Sequence, residues 1–216
     1  MLDVGPGTFA ALMEAGLLPD AIVLSHGHPD HCSDLVFLFQ YLRFDRPEVA
    51  GLPVLAPPGV ADLIADFLDA STDHPFHRVF DFRVVGPGDG LTLGATTLRF
   101  GAAAHPVPSV VVRVECDGVS LVYSGDTGPG GDLQALAAGC DLLLCEATHQ
   151  GPPGPDRYPY HLHAVEAGEI ATDAGVGRLL LTHVAPTLEP GVSVAEAALT
   201  FSGPIDFARP GMEVEL

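Results

Sequence analysis

A short histidine-rich segment constrains this chain more than any other feature. His26, His28, Asp30 and His31 fall within six residues, shortly after the apolar run Ala21–Leu24. An apolar run followed by glycine and proline is typical of a buried strand that opens into a loop. Side chains at the end of a strand converge on one point, and imidazole and carboxylate groups are ligands that a metal ion needs. The segment therefore predicts a metal site.

Three more residues of the same chemical type follow other strand-like runs. These residues are His105, Asp126 and His183. With the first four they make seven candidate ligands, which is too many for one tetrahedral zinc and enough for two metals. The pattern predicts the dinuclear metal centre of a hydrolase.

Length and composition predict one domain over residues 1–216. The chain is long enough to bury a sizeable core, shows no internal repeat, and has no hydrophobic run long enough to cross a bilayer. Its start, Met1-Leu2-Asp3, lacks the basic and apolar regions of a signal peptide. Four scattered cysteines favour reduced thiols, and we expect a cytoplasmic protein without membrane partners.

The charge of the chain limits its partners. The formal net charge is −19, and the sequence contains nine arginines and no lysine. Nucleic-acid affinity comes largely from neutralising phosphates, so the composition argues against a broad nucleic-acid-binding surface. The acidity suits solubility and favours small substrates over polyanionic ones.

Hydrophobic periodicity predicts alternating helices and strands. Helical patterns cover residues 7–16, 34–43, 60–70, 133–138, 164–174 and 194–201. Strand patterns cover residues 21–25, 53–56, 79–85, 91–100, 109–116, 119–124, 141–145 and 178–181, with a hairpin turn at Asp117-Gly118 and a final hairpin at the end of the chain. We therefore predict an α/β fold with two packed mixed sheets and helices outside.

The order of these motifs resembles the metallo-β-lactamase superfamily, whose hallmark is H-x-H-x-D-H followed by a distant His, a distant Asp and a final His. The resemblance implies an αββα sandwich with the metals at one edge between the sheets. It assigns ligands to two sites, with Asp126 bridging them: His26, His28 and His105 at the first metal, and Asp30, His31 and His183 at the second.

The same resemblance assigns a buttressing role to Asp3. The family's first motif holds an Asp that supports the ligand loop without touching metal, and it normally follows several dozen residues that contain the first strands of the first sheet. Here it is the third residue, so we expect those strands to be missing. Either Met1 is a mis-assigned or trimmed start, or this is a short form whose exposed sheet edge is covered by another subunit.

The implied chemistry is hydrolysis by a hydroxide that bridges two divalent metals, with Asp30 orienting it. A His-rich set with carboxylates suits zinc, and manganese or iron tolerate similar sets. The oxygen-reducing flavodiiron branch carries a carboxylate at the position of His28, so the histidine favours a redox-inert hydrolase.

The motifs after Asp126 resemble the phosphodiesterase branch that includes tRNase Z. They are Tyr123–Thr127, Glu146-Ala147-Thr148 and His161. In that branch the additional histidine contacts the phosphate and protonates the leaving alkoxide, which leaves poorly unaided. Carried over, His161 is a candidate general acid and Glu146 is the partner that orients it.

The substrate prediction is a small phosphodiester such as a cyclic nucleotide. tRNase Z carries a long tRNA-gripping arm before the bridging Asp, whereas His105 and Asp126 are only 21 residues apart here and no basic arm appears elsewhere. Two alternatives stay open: a thioesterase like hydroxyacylglutathione hydrolase (glyoxalase II), and a non-catalytic metal-binding member. Homodimers are common in the families that the chain resembles.

Overall fold

The computed structural model describes all 216 residues, which separate into two compact units, Met1–Gly86 and Pro87–Leu216. Each unit has its own sheet and its own hydrophobic core. The predicted α/β class with two sheets and flanking helices is confirmed, while the single domain over 1–216 stays a prediction. No helix has the length and apolarity that a membrane span needs.

The first unit contains a three-stranded parallel sheet in the order β1-β2-β3. Its strands are β1 (Ile22–Val23), β2 (Leu52–Ala56) and β3 (Phe80–Val84), and its helices are α1 (Thr8–Ala15), α2 (Pro29–Cys32), α3 (Leu35–Phe44), α4 (Val60–Phe67) and α5 (Phe76–Val79). In α3 the buried residues are Leu35, Leu38, Phe39 and Leu42. This spacing matches one face of a helix, so the apolar stripe read from the sequence forms part of the core.

The second unit contains a seven-stranded mixed sheet in the order β10-β9-β8-β7-β6-β5-β4. The elements are β4 (Gly90–Leu93), β5 (Thr96–Ala102), β6 (Val110–Cys116), β7 (Val119–Tyr123), α6 (Leu133–Ala137), β8 (Leu142–Glu146), α7 (Ala164–Ala174), β9 (Arg178–Thr182), α8 (Pro190–Ala197) and β10 (Ile205–Phe207). Strands β7 to β10 are parallel, and β4 to β7 pair antiparallel. The predicted hairpin turn is confirmed, since Asp117 and Gly118 both have positive φ, at 51° and 84°.

Two strand predictions in this unit were wrong. The run 91–100 is not one strand but the β4–β5 hairpin, because Gly94 adopts the left-handed conformation at φ 59° and reverses the chain. The chain does not end in a hairpin either. Strand β10 pairs with β9 in parallel. Two consecutive parallel strands need a crossover connection, and helix α8 provides it.

The N-terminal residues support the histidine-rich loop of the first unit. The backbone of Val4 donates to the carbonyl oxygen of His31 at 2.7 Å, and Asp34 donates back to Val4 at 3.0 Å. A methyl group added at Gly5 would lie 1.9 Å from the carbonyl oxygen of Asp30. Only glycine therefore allows this close approach of the two backbones.

We expect Gly5→Ala to lower the free energy of unfolding by about 1–3 kcal/mol, because overpacking forces the backbone to shift. Urea denaturation measures this change. The control is Gly154→Ala, where an added methyl group meets nothing within 4 Å. Equal stability of the two variants would contradict the proposed close packing.

Candidate metal centre

Three histidines lie together in the loop that follows β1. His26 and His31 are buried, and His28 is the N-cap of α2, with Pro29 at the first helical position. The ring centroid of His26 lies 4.6 Å from that of His28 and 4.2 Å from that of His31. The strand end and the short proline-initiated helix therefore bring these imidazoles together, while their role as metal ligands stays a prediction.

Asp3 holds two groups of this loop. Its Oδ2 lies 2.6 Å from Nδ1 of His31 and accepts a hydrogen bond from Oγ of Ser25 at 2.7 Å. Its Oδ1 accepts from the backbone N–H of Ser25 at 2.6 Å. The Ser25 hydroxyl also lies 3.0 Å from Nδ1 of His26. This is the buttressing arrangement that the family resemblance implies for Asp3.

Asp30 occupies a more open position than the histidines. It lies in the first turn of α2, and its side chain is 58% exposed. Its Oδ2 is 3.7 Å from Nε2 of His31. The carboxylate is thus beside the imidazole cluster and open to a small molecule.

The second unit presents its candidate ligands at strand ends. His105 follows β5, and its Nδ1 lies 3.3 Å from the carbonyl oxygen of Tyr160. Asp126 follows β7 and is buried, and His183 directly follows β9 with φ 54°. Nε2 of His183 lies 3.4 Å from Oδ1 of Asp126. Two of these three ligand-type residues are therefore adjacent within the unit.

Glu146, at the end of β8, has no exposed surface, and its carboxylate is surrounded by donors. Its Oε1 accepts from the backbone of Thr127 at 2.6 Å and lies 3.0 Å from Nδ1 of His161. Its Oε2 accepts from the Thr148 hydroxyl at 2.7 Å and from the backbone of Leu162 at 3.1 Å. The carboxylate therefore determines the orientation of the His161 ring.

Thr148 joins this arrangement to His183, and sequence reasoning missed its role. The Thr148 hydroxyl lies 2.8 Å from Nδ1 of His183 and 3.3 Å from Nδ1 of His161. The two imidazoles stack with centroids 5.5 Å apart and an angle of 11° between their planes. The sequence did contain a signal for this role. Thr148 lies two residues after Glu146 at a strand end, and alternate side chains along a strand point the same way.

The loop that carries His161 is clamped by an ion pair that the sequence did not reveal. The Arg157 guanidinium donates to the carboxylate of Glu166 and, at 2.9 Å, to the carbonyl oxygen of His161. Glu166 also accepts from the backbone of His163, the N-cap of α7, at 2.9 Å. Since Glu166 belongs to the first turn of α7, the helix fixes the loop.

The guanidinium of Arg113 and the thiol of Cys145 both have structural roles. Arg113 donates to the carbonyl oxygens of Leu136 and Ala138 at 2.8 and 3.1 Å, so it caps the C-terminal end of α6. Cys145 is fully buried, and burial, aided by the Glu146 carboxylate, raises the pKa of its thiol well above its usual range. A reactive thiolate at Cys145 is therefore disfavoured.

The sequence and fold assign this chain to a known family. Residues 7–184 match the Beta-lactamase superfamily domain, and the chain belongs to that family. A protein of Mycobacterium tuberculosis described as uncharacterised is 36% identical over 214 residues, which cover 95% of this chain and 77% of that protein. The resemblance read from the sequence is confirmed.

Two further similar proteins are informative. A ribonuclease Z of Mycobacterium bovis is 33% identical over 244 residues, covering 100% of this chain and 87% of that protein. The metallo-beta-lactamase fold protein YhfI of Bacillus subtilis superposes with a TM-score of 0.81 at 27% identity, covering 98% of this chain and 84% of that one.

We expect Glu146→Gln to lower the free energy of unfolding by about 1–3 kcal/mol. The amide of the glutamine would point an N–H group at neighbouring hydrogen-bond donors in a buried site. Urea unfolding of the protein measures the loss. Glu213→Gln, at an exposed position, serves as the control. A stable Glu146→Gln protein would mean that the surrounding donors do not require a carboxylate.

Proposed function

We propose that this protein is a dinuclear metal-dependent phosphodiesterase acting on a small phosphodiester such as a cyclic nucleotide. The observation that carries the proposal is the buried Glu146 carboxylate, 3.0 Å from Nδ1 of His161, whose ring stacks on that of His183. A histidine that is held in this way beside a candidate metal ligand has the placement of a proton donor to the leaving group.

The seven proposed ligands have the chemistry that two divalent metals require. They are His26, His28, Asp30, His31, His105, Asp126 and His183. Four of the five histidines have Nδ1 within hydrogen-bonding distance of an oxygen, from Ser25, Asp3, Tyr160 and Thr148. Metal-ligating histidines usually engage one ring nitrogen in this way, which orients the other nitrogen toward the metal. The donor set suits zinc, with manganese or iron as alternatives.

Two bound metals would supply activated water and stabilise negative charge on the phosphoryl oxygens. The residues of the chain contribute orientation and proton transfer. Asp30, exposed beside His31, can orient the attacking water. His161 presents Nδ1 to Glu146, so its Nε2 is the atom that would give a proton to the departing alkoxide oxygen. Glu146 stabilises the protonated imidazole and keeps its ring in place.

Three observations favour a small diester over tRNA. The net charge of −19 without lysine would repel a polyanion. The chain between His105 and Asp126 contains little besides the β6–β7 hairpin, whose turn is two residues long. The alignment with the ribonuclease Z spans 244 positions, 28 more than the 216 residues of this chain. That relative therefore contains segments that this chain lacks.

We expect the zinc- or manganese-loaded protein to hydrolyse bis(p-nitrophenyl) phosphate and a cyclic nucleotide. His161→Ala should lower kcat for the cyclic nucleotide by about 10²- to 10⁴-fold while both metals stay bound, because a general acid contributes about that much when an alkoxide leaves. The same variant should affect bis(p-nitrophenyl) phosphate much less, because p-nitrophenolate leaves without a proton. Chromatography of the nucleotide product, release of p-nitrophenol and elemental analysis of the same sample measure the two activities and the bound metal. Tyr41→Phe, in the first unit, is a control that should keep full activity.

A thioester substrate tests the alternative. Cleavage of a glutathione thioester without cleavage of either diester would make the protein a glyoxalase II-like thioesterase. Two bound metals without turnover of any of the three substrates would indicate the non-catalytic member of the family.

We expect His28→Ala to lose bound metal, and Asp3→Ala to bind zinc about 10- to 100-fold more weakly, because supporting groups of a ligand affect affinity by that factor. Competition with a chromogenic chelator measures both affinities. Retention of two metals and full activity in His28→Ala would overturn the ligand assignment.

The cysteines bear on the cellular compartment of the protein. All four cysteines are free thiols, which suits the reducing cytoplasm. We place the protein there, with a small ester, in our proposal a phosphodiester, as its substrate. The proposal allows a homodimer and does not require one.

A further inference from the structure

Tyr158 is a large aromatic residue that stays exposed beside the proposed proton donor. Its side chain lies in the proline-rich loop 151–159 and is 54% exposed. Its ring stacks on that of His161, with centroids 5.7 Å apart and an angle of 24° between the planes. The ring of Tyr160 meets the Tyr158 ring edge-on at 5.4 Å. An exposed tyrosine ring is thus held in a defined orientation next to His161.

The neighbouring backbone is fixed on both sides of Tyr158. Arg157, directly before it, donates to Glu166 and to the carbonyl oxygen of His161. After it, a methyl group added at Gly128 would lie 1.8 Å from the carbonyl oxygen of Pro159, so these two backbones are in close contact. A ring that is already in place costs little conformational entropy when a ligand binds to it.

The arginines near the Tyr158 loop and on the sheet of the second unit bear on what the Tyr158 ring could bind. The guanidinium groups of Arg113 and Arg157 are both engaged with backbone carbonyl oxygens and carboxylates, and the chain has no lysine. The two proposed metals would then bind the phosphate, and the uncharged portion of the substrate is left to the neighbouring side chains. A tyrosine ring that is 54% exposed offers stacking, which every nucleobase can accept.

We propose that Tyr158 is a specificity-determining residue that stacks on the base of a nucleotide substrate. The inference deepens the proposed function and rests on it for the place of the phosphate beside His161. It names the substrate class as phosphodiesters with an aromatic base, in preference to alkyl or sugar diesters.

Binding to the zinc-loaded full chain tests the inference independently of turnover. The probes are adenosine 5′-monophosphate and ribose 5-phosphate, which share the phosphorylated ribose and carry adenine or a hydroxyl group at C1. Isothermal titration calorimetry measures their binding. Tyr158→Leu should weaken binding of the nucleotide about 5- to 150-fold and leave ribose 5-phosphate unchanged, since base stacking contributes a free energy equivalent to about that factor. Tyr158→Phe should bind like the unaltered protein.

The matched control is Phe44→Leu, which removes another exposed ring, 66% exposed on α3, and should change neither affinity. Three results would overturn the inference: equal affinity of the unaltered protein for the two probes, binding of neither, or equal weakening of both by Tyr158→Leu. The last result would make Tyr158 only a support for His161.

Turnover separates this inference from the proposed function. If cyclic nucleotides are hydrolysed, Tyr158→Leu should raise KM by the same factor with a smaller effect on kcat, and Tyr158→Phe should restore KM. If no diester is hydrolysed but the base preference persists, the phosphodiesterase proposal fails and the nucleotide-binding role of Tyr158 stands.

Discussion

A carboxylate with little or no exposed surface holds an imidazole ring in each of the two units, and the arrangement of that unit's candidate residues depends on this interaction. In the first unit Asp3 binds Nδ1 of His31 and both hydrogen-bond donors of Ser25. In the second unit Glu146 binds Nδ1 of His161 and receives the backbone N–H groups of Thr127 and Leu162. A buried carboxylate is costly unless every lone pair finds a donor. The surrounding chain therefore has to adopt one conformation, and the histidine orientation follows from it.

The loops around these carboxylates are shaped by close backbone approaches. Gly5 allows the N-terminal segment to lie against Asp30, and Gly128 allows its segment to lie against Pro159. Any side chain at either glycine would separate the segments. Close backbone contacts of this kind keep a polar site rigid where loops would otherwise be mobile, which reduces the reorganisation that a reaction requires.

The chain has few positively charged side chains with which it could bind an anionic substrate. Arg113 caps α6 and Arg157 clamps the loop of His161, so both guanidinium groups act within the protein. The proposed metals would be the main positive charges available to a phosphate. An aromatic ring at Tyr158 would then provide binding energy without adding charge, in keeping with the small anionic substrate that we propose for this acidic protein.

The sequence by itself determined the α/β class, the histidine-rich loop after β1, the hairpin at Asp117-Gly118, and the family. These follow from local patterns: apolar periodicity, turn chemistry and ligand spacing. Only the tertiary structure decided that Gly94 splits the predicted run 91–100 and that β10 joins the sheet in parallel. It alone placed Thr148 between His161 and His183 and paired Arg157 with Glu166. These contacts join residues whose approach depends on how whole strands and helices pack, and no local pattern carries that information.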